Sequence, residues 1–135
     1  MAKELLKGNV AMAEAAMMAC GITGRNEVLV SRTVHPHWRD VLATYARDRS
    51  MKITTYDYCD GVSDISKLAG LVTESTAAVI CQTPNFFGCL EDVGGLGAIA
   101  HKQGALLIAA VNPVSLGLLE APGALGADIV VGEGQ

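Results

Sequence analysis

Apolar residues in the chain follow a helical spacing in some segments and form short unbroken runs in others. In residues 2–20 they recur every three or four positions, which predicts a helix that ends before Gly21. A second helix is predicted from Pro36, because proline suits the first turn and apolar side chains follow on one face. Ser63 is the predicted N-cap of a third helix, and a fourth ends at Gln103, next to a glycine.

Short runs of apolar and β-branched residues separate these helices, and each run predicts a strand. The runs are residues 27–31, 51–56, 77–82, 105–111 and 128–131. Strands that alternate with helices are typical of a parallel sheet covered by helices on both faces. We therefore predict one α/β domain over residues 1–135, with three layers and a mostly parallel sheet of about five strands.

Charge and hydropathy narrow the classes of protein to which the chain can belong. Ten lysines and arginines stand against 14 aspartates and glutamates, for a net charge of −4, and no basic block occurs. Nucleic acid and anionic membranes are therefore poor candidate partners. No apolar stretch approaches the length of a bilayer span, and residues 1–7 mix acidic and basic side chains. We expect no membrane anchor and no secretory signal, and we expect the protein in the cytoplasm.

Cysteine and histidine positions give little support for a metal site. The cysteines have no C-x-x-C spacing, so we expect buried thiols in a reducing compartment; they are Cys20, Cys59, Cys81 and Cys89. His35 and His37 flank a proline after the first predicted strand. The other possible ligands nearby are Asp57, Cys59 and Asp60. A metal site needs at least three fixed protein ligands, and the spacing supplies no such set, so we predict no metal.

Two features of the fourth predicted helix permit other interpretations. Gly95, Gly97 and Ala100 loosely match the dinucleotide fingerprint G-x-G-x-x-G/A, which leaves a nucleotide-binding module as an alternative function. That fingerprint requires a strand that turns directly into the helix, whereas the preceding strand ends near Gln82. Small residues that allow close helix packing are the favoured interpretation. His101 is interpreted as a capping residue at the end of this helix rather than as a cofactor contact.

Polar side chains that follow two buried strands are the best local candidates for a site. Thr83 and Asn85 follow one strand, and Asn112 follows the next. The carboxyl ends of parallel strands meet at one edge of a sheet, where α/β proteins bind their ligands. The spacing therefore indicates a small-molecule site or a subunit contact, and turn formation explains these residues equally well.

The last residues follow a predicted strand, at the edge of the sheet where ligand chemistry is expected. Gln135 is the final residue, and we therefore expect the chain to be a fragment of a longer protein. An apolar sheet that lacks part of its cover exposes surface that recruits other chains, so we also expect an oligomer.

Five segments of the chain resemble one protein family. They are residues 81–92, 100–108, 112–119, 122–123 and 126–135. In order and spacing these segments resemble the N-terminal half of the glycine-cleavage P-protein, which many bacteria make as a separate subunit 1 of decarboxylating glycine dehydrogenase. The most specific parts are Pro-Asn-Phe-Phe-Gly and the final Gly-Ala-Asp-Ile-Val-Val-Gly-Glu-Gly-Gln.

This resemblance implies the large domain of the fold-type-I enzymes, which use pyridoxal phosphate (PLP). It places the phosphate near the start of a helix at Gly8 and Asn9, and it puts Asn112 where the fold carries an aspartate for the pyridine nitrogen. The Schiff-base lysine of the fold falls just beyond Gln135. The possible cofactor contacts that it marks are Gly8, Asn9, Thr83, Asn85, Asn112 and Gln135.

The same resemblance implies a division of labour between two subunits. Because the aspartate and the lysine are missing at the matching positions, we expect no catalytic residue in this chain and no PLP bound by this chain alone. PLP is expected on P-protein subunit 2, with glycine as substrate and the lipoyl arm of the H-protein as acceptor of the aminomethyl group. A non-catalytic interaction domain is the other alternative.

Overall fold

A computed structural model describes residues 8–133 of the chain. Its strands are β1 (Glu27–Ser31), β2 (Lys52–Tyr56), β3 (Tyr58–Cys59), β4 (Val62–Ser63), β5 (Thr76–Thr83), β6 (Leu106–Val111) and β7 (Ile129–Gly132). In this part of the chain, five strands form one parallel sheet in the order β2-β1-β5-β6-β7. The short strands β3 and β4 pair antiparallel beside it. The predicted parallel sheet is confirmed.

Helices cover both faces of the sheet, as predicted. They are α1 (Gly8–Thr23), α2 (Pro36–Asp48), α3 (Ile65–Leu71) and α4 (Val93–Lys102), with a 3-10 helix at Pro113–Gly117. Because successive side chains of a strand point to opposite faces, Val28 and Val30 pack in a core with α1 and α2, while Leu29 packs in a core with α3 and α4. Burial of each such aliphatic side chain stabilises the fold by roughly 1.5–3 kcal/mol, so both helix layers are packed stably on the sheet.

Helix α1 continues further than the sequence predicts. Gly21 lies inside the helix and not at its end, so that prediction is wrong. Gly24 takes the left-handed conformation instead, with φ +69°, and its amide donates to the Cys20 carbonyl at 2.9 Å. The hydroxyl of Thr23 donates to the Ala19 carbonyl at 2.8 Å and supports the added turn. The predicted helical residues 2–7 lie outside the described part.

The N-cap of α3 is Asp64, one residue after the predicted Ser63. The Asp64 carboxylate accepts hydrogen bonds from the amides of Ser66 and Lys67, at 3.0 and 3.2 Å. Ser63 belongs to β4 and is buried, with its hydroxyl 2.6 Å from that of Ser31. Strands β3 and β4 are not predicted from the sequence, because a two-residue strand has no periodicity that a pattern can show.

Helix α4 is capped at both ends, and it ends where the sequence predicts. Residues 84–92 form a loop, and the Asp92 carboxylate caps the helix by accepting from the Gly95 amide at 2.9 Å. Gln103 is the C-cap, and Gly104 follows with φ +73°. Among residues 8–133, no helix combines the length and hydropathy needed to cross a bilayer.

Candidate functional site

The predicted site residues of β5 and β6 meet at the carboxyl edge of the sheet. Thr83 pairs in register with Val111, and Val111 pairs with Gly132, so the ends of β5, β6 and β7 are level. Asn112 follows Val111 directly. The predicted gathering of Thr83 and Asn112 along one edge is therefore seen in the structure.

Thr83 and Asn112 nevertheless border different spaces at this edge. Thr83 borders a mostly apolar cavity of about 120 Å³ on the α3/α4 side, together with Glu91 and with apolar residues such as Leu116. Its hydroxyl accepts a hydrogen bond from the Glu91 amide at 3.3 Å. Asn112 borders a more polar space on the α1/α2 side. The two residues thus share an edge but do not form one pocket.

Asn85 is buried and engages its whole side-chain amide within the protein. Its Oδ1 accepts from the amides of Phe87 and Cys89, at 3.0 and 3.1 Å. Its Nδ2 donates to the Gly61 carbonyl at 2.7 Å and to Glu91 Oε1 at 2.9 Å. An asparagine amide offers two donors and two acceptor sites, and all of them are used here. This side chain builds the loop after β5.

Glu91 is the centre of a buried polar network that the sequence analysis missed. It is 8% exposed, and it accepts from the Thr33 hydroxyl at 2.6 Å, the Ser63 amide at 2.8 Å and Asn85 at 2.9 Å. The Ser31 hydroxyl lies 2.8 Å from that of Thr33. We call these residues the Glu91 cluster: Ser31, Thr33, Ser63, Asn85 and Glu91. No sequence signal marks it, because a lone glutamate in a loop is normally exposed.

The polar space beside Asn112 is the strongest candidate site among the described residues. Its volume is about 240 Å³, and we call it the Trp38 crevice; its walls are Trp38, Gln82, Val111, Asn112, Pro113 and Glu133. Asn112 Oδ1 accepts from the Val114 amide at 3.1 Å and so caps the 3-10 helix. Gln82 Oε1 accepts from the His35 amide at 2.9 Å. Both side chains thus border the crevice, and their oxygens hold the loops around it.

The start of α1 lies at this crevice. The Gly8 amide donates to Glu133 Oε1 at 3.1 Å. A Cβ on Gly8 would come within 2.4 Å of Trp38 Cη2, so only glycine fits against the indole. The Asn9 side chain instead accepts from the Val10 amide at 2.8 Å. Gly8 is therefore brought together with the Asn112 wall, whereas Gln135 lies outside the described residues.

The glycine pattern of α4 serves packing, as favoured above. The Gly95 amide is taken by Asp92, and a loop rather than a strand precedes the helix. A Cβ on Gly97 would lie 3.3 Å from Leu107 Cδ2 and 3.4 Å from the Gly126 carbonyl, so this glycine allows close contact with the sheet. These contacts give no support to the nucleotide-binding alternative.

His101 and His35 also have hydrogen-bond partners within the protein. His101 Nε2 lies 2.7 Å from Asp128 Oδ2, and that carboxylate accepts from the Leu107 amide at 2.7 Å. His101 therefore links α4 to the segment before β7 through Asp128. His35 Nδ1 accepts from the His37 amide at 3.1 Å. Residues 8–133 contain no group of three side chains suited to a metal ion.

The cysteines are free thiols in different surroundings. Cys81 is buried in β5, and burial, followed by the nearby Glu91 charge, raises its thiol pKa to about 12. Burial also raises the pKa of Cys20, which is half-buried. Cys59 is exposed in the two-residue strand β3, so the prediction of a buried thiol is wrong there. Both residues of β3 are exposed, because this strand pairs with β4 and is not part of the main sheet.

The parallel sheet with helices on both faces has the fold of the large domain of fold-type-I PLP-dependent enzymes. Two solved structures share this fold at low identity. An O-acetylhomoserine (thiol)-lyase from Campylobacter jejuni, whose structure carries a pyridoxyl-lysine, has a TM-score of 0.73 at 17% identity, over 95% of this chain and 30% of that one. A sphingosine-1-phosphate lyase from Burkholderia pseudomallei has a TM-score of 0.65 at 18% identity, over 78% and 25%.

The family model of the glycine cleavage system P-protein matches residues 2–135, and the chain belongs to this family. Relatives named glycine dehydrogenase (decarboxylating) subunit 1 are 52% identical in Lysinibacillus sphaericus and 55% identical in Brevibacillus brevis, each over 95% of this chain. An inhibitor-bound glycine decarboxylase (P-protein) has a TM-score of 0.90 at 44% identity, over 96% of this chain. The chain spans about 29% of the length of these proteins.

Proposed function

We propose that this chain is part of subunit 1 of glycine dehydrogenase (decarboxylating) and forms a wall of the assembled enzyme without catalytic residues of its own. The family match and the names of the relatives support the assignment to glycine dehydrogenase. In this proposal the enzyme acts on glycine in the cytoplasm with PLP held by P-protein subunit 2. It passes the aminomethyl group to the lipoyl arm of the H-protein.

The residues around the Trp38 crevice do not fit PLP. The Gly8 amide, which the family resemblance assigns to the phosphate, is bonded to the Glu133 carboxylate. Asn112, which the resemblance assigns to the pyridine nitrogen, has a neutral amide that cannot stabilise a pyridinium as a carboxylate does. A PLP phosphate at Gly8 would meet a carboxylate, and a pyridinium at Asn112 would meet no negative charge.

The lysines of residues 8–133 all lie away from the crevice, and this observation carries the proposal. Lys52 begins β2 at the opposite edge of the sheet, where its Nζ is 3.1 Å from Glu27. Lys67 is on α3, 3.6 Å from Asp57. Lys102 ends α4. The described walls therefore offer no amine that could hold PLP covalently.

Borohydride reduction of the assembled enzyme tests this assignment. The natural-length protein is combined with its partner subunit and PLP, reduced, digested and searched by mass spectrometry for pyridoxyl-lysine. We expect the modified lysine on the partner and none on this chain. A stoichiometric adduct at one lysine of this chain, including Lys3 or Lys7, would overturn the proposal. A variant with Lys67→Arg serves as a control for nonspecific labelling.

The carboxyl-edge loops supply the surface that we propose for contact with the partner subunit. Large apolar side chains are exposed there: Tyr58, Phe86, Phe87, Leu90, Val114 and Leu118. Such patches on a soluble domain mark interaction sites. Leu118 is 95% exposed, so Leu118→Ser is expected to leave folding unchanged and to weaken assembly at least about tenfold. Sedimentation measures this, and unchanged assembly would exclude this surface.

A further inference from the structure

The start of α1 is bonded to an anion that belongs to the chain itself. Glu133 lies 125 positions from Gly8, yet its Oε1 accepts the Gly8 amide at 3.1 Å. The first amides of a helix and the helix dipole together attract negative groups, phosphate among them. Here the carboxylate that follows β7 supplies the negative group.

Two side chains also pack closely against Gly8. The Trp38 indole lies against Gly8, so that a Cβ there would be 2.4 Å from Cη2 and 2.8 Å from Cζ2. The same Cβ would be 3.0 Å from the Cγ of Glu133. Both side chains therefore lie close to Gly8, and an external group that accepts from the Gly8 amide would have to displace the Glu133 carboxylate.

The remaining walls of the Trp38 crevice offer no compensating positive charge. Gln82 and Asn112 are neutral, and neither lysine nor arginine borders the crevice among the described residues. A phosphate group entering the crevice would face the Glu133 carboxylate without a cation to neutralise either of them. The Glu133 carboxylate would repel a phosphate group in the crevice, and the repulsion is stronger in a partly dehydrated site than in water.

We propose that Glu133 is an internal anion that occupies the phosphate position at the start of α1, so that the Trp38 crevice excludes phosphorylated ligands. The hydrogen bond to Gly8 also ties the end of β7 to α1. The crevice is left suited to small neutral or cationic ligands, which the amides of Gln82 and Asn112 and the indole of Trp38 can contact. This inference concerns phosphate binding alone and does not depend on where PLP is held.

Titration with inorganic phosphate tests the inference on the natural-length protein without its partner subunit. Binding is followed by phosphorus NMR and by the change in Tm, at an ionic strength held constant with chloride. The variants are Glu133→Ala, which frees the Gly8 amide, and Glu133→Gln, which keeps an acceptor but removes the charge. Glu120→Ala is the control, because it removes one exposed carboxylate that does not border the Trp38 crevice.

We expect no saturable phosphate binding by the wild type or by Glu120→Ala. Glu133→Ala should bind phosphate at least about tenfold more tightly than the wild type, with a Tm that rises with phosphate. Glu133→Gln should bind with intermediate affinity. Equal binding by the wild type and Glu133→Ala would overturn the inference, as would no binding by either glutamate variant. If Glu133→Ala bound phosphate and Glu133→Gln did not, the claim that the charge of Glu133 excludes phosphate would be wrong.

Discussion

Two glutamates at the same edge of the sheet are used in opposite ways. Glu91 is buried and accepts three hydrogen bonds, from Thr33, Ser63 and Asn85. Glu133 is exposed and accepts the Gly8 amide. A buried carboxylate needs fixed donors to replace its hydration, whereas an exposed one keeps much of it. On the α3/α4 side of the edge the polar residues therefore stabilise the fold, whereas on the α1/α2 side they border the Trp38 crevice.

The largest expected effect comes from removing the buried member of this pair. Glu91→Ala leaves three buried donors without their acceptor, and each costs about 1–3 kcal/mol. We expect the free energy of unfolding to fall by about 3 kcal/mol or more, measured by urea denaturation. Glu133→Ala, the matched control, should change it by less than about 1 kcal/mol. Equal losses would contradict the contrast between the two glutamates.

Two asparagines at the edge extend the comparison from charge to amides. Asn85→Ala removes four hydrogen bonds inside the protein and is expected to cost about 2–3 kcal/mol. Asn112→Ala removes one cap of an exposed 3-10 helix and should cost about 1 kcal/mol. Denaturation of both variants under identical conditions measures the difference. A more destabilising Asn112 variant would show that the crevice wall, not the loop after β5, is the structural element.

Two glycines of α1 test how tightly the crevice end is packed. Gly8→Ala forces a Cβ into the Trp38 indole and is expected to destabilise by about 1–3 kcal/mol. Gly21→Ala meets no atom within 4 Å and should stabilise by about 0.5–1 kcal/mol, because alanine favours the helix. The two Tm values should therefore move in opposite directions in a calorimetric scan. A shift in the same direction would mean that the indole yields without cost.

Raising the pH tests the buried part of the sheet without changing a residue. The pKa of Cys81 is about 12 in the folded chain against an ordinary value of 9.0, so above pH 9 the unfolded state loses this proton first. Stability is then lost with rising pH, at a limiting rate of about 1.4 kcal/mol per pH unit between these values. Burial also raises the pKa of Tyr56, which acts in the same direction. Denaturation at several pH values measures the slope, and Cys81→Ala should reduce it.

Much of the fold follows from patterns that are local in the sequence. The unbroken apolar runs of β5 and β6 predict buried parallel strands, because both of their faces pack against helices. The end of α4 is predicted from Gly104, since a left-handed residue there ends a helix. The end of α1 and the cap of α3 are displaced by a few residues, because neighbouring glycines, serines and aspartates satisfy the same local rule.

The sequence predicts that the candidate site lies at the carboxyl edge of the sheet, but not which residues share a pocket there. Thr83 and Asn112 are placed at one edge by the order of the strands, which the sequence pattern shows. Which side of the sheet each one faces depends on strand register, and the predicted strand bounds are too coarse to give it. The contacts of Glu91 with Thr33 after β1 and with Ser63 in β4, and the contact of Glu133 with α1, join residues far apart in the chain. No spacing in the sequence records such contacts.

The sequence by itself determined the parallel α/β sheet, its helix layers and membership in the P-protein family, because hydrophobic periodicity and residue order survive without coordinates. Only the tertiary structure decided which polar residues are committed to the fold and which border the crevice. The physical reason is that hydrogen bonding and burial depend on distances across the sheet. Those distances exist only once β7 has come to lie beside α1 and the loop after β5 has closed over β4.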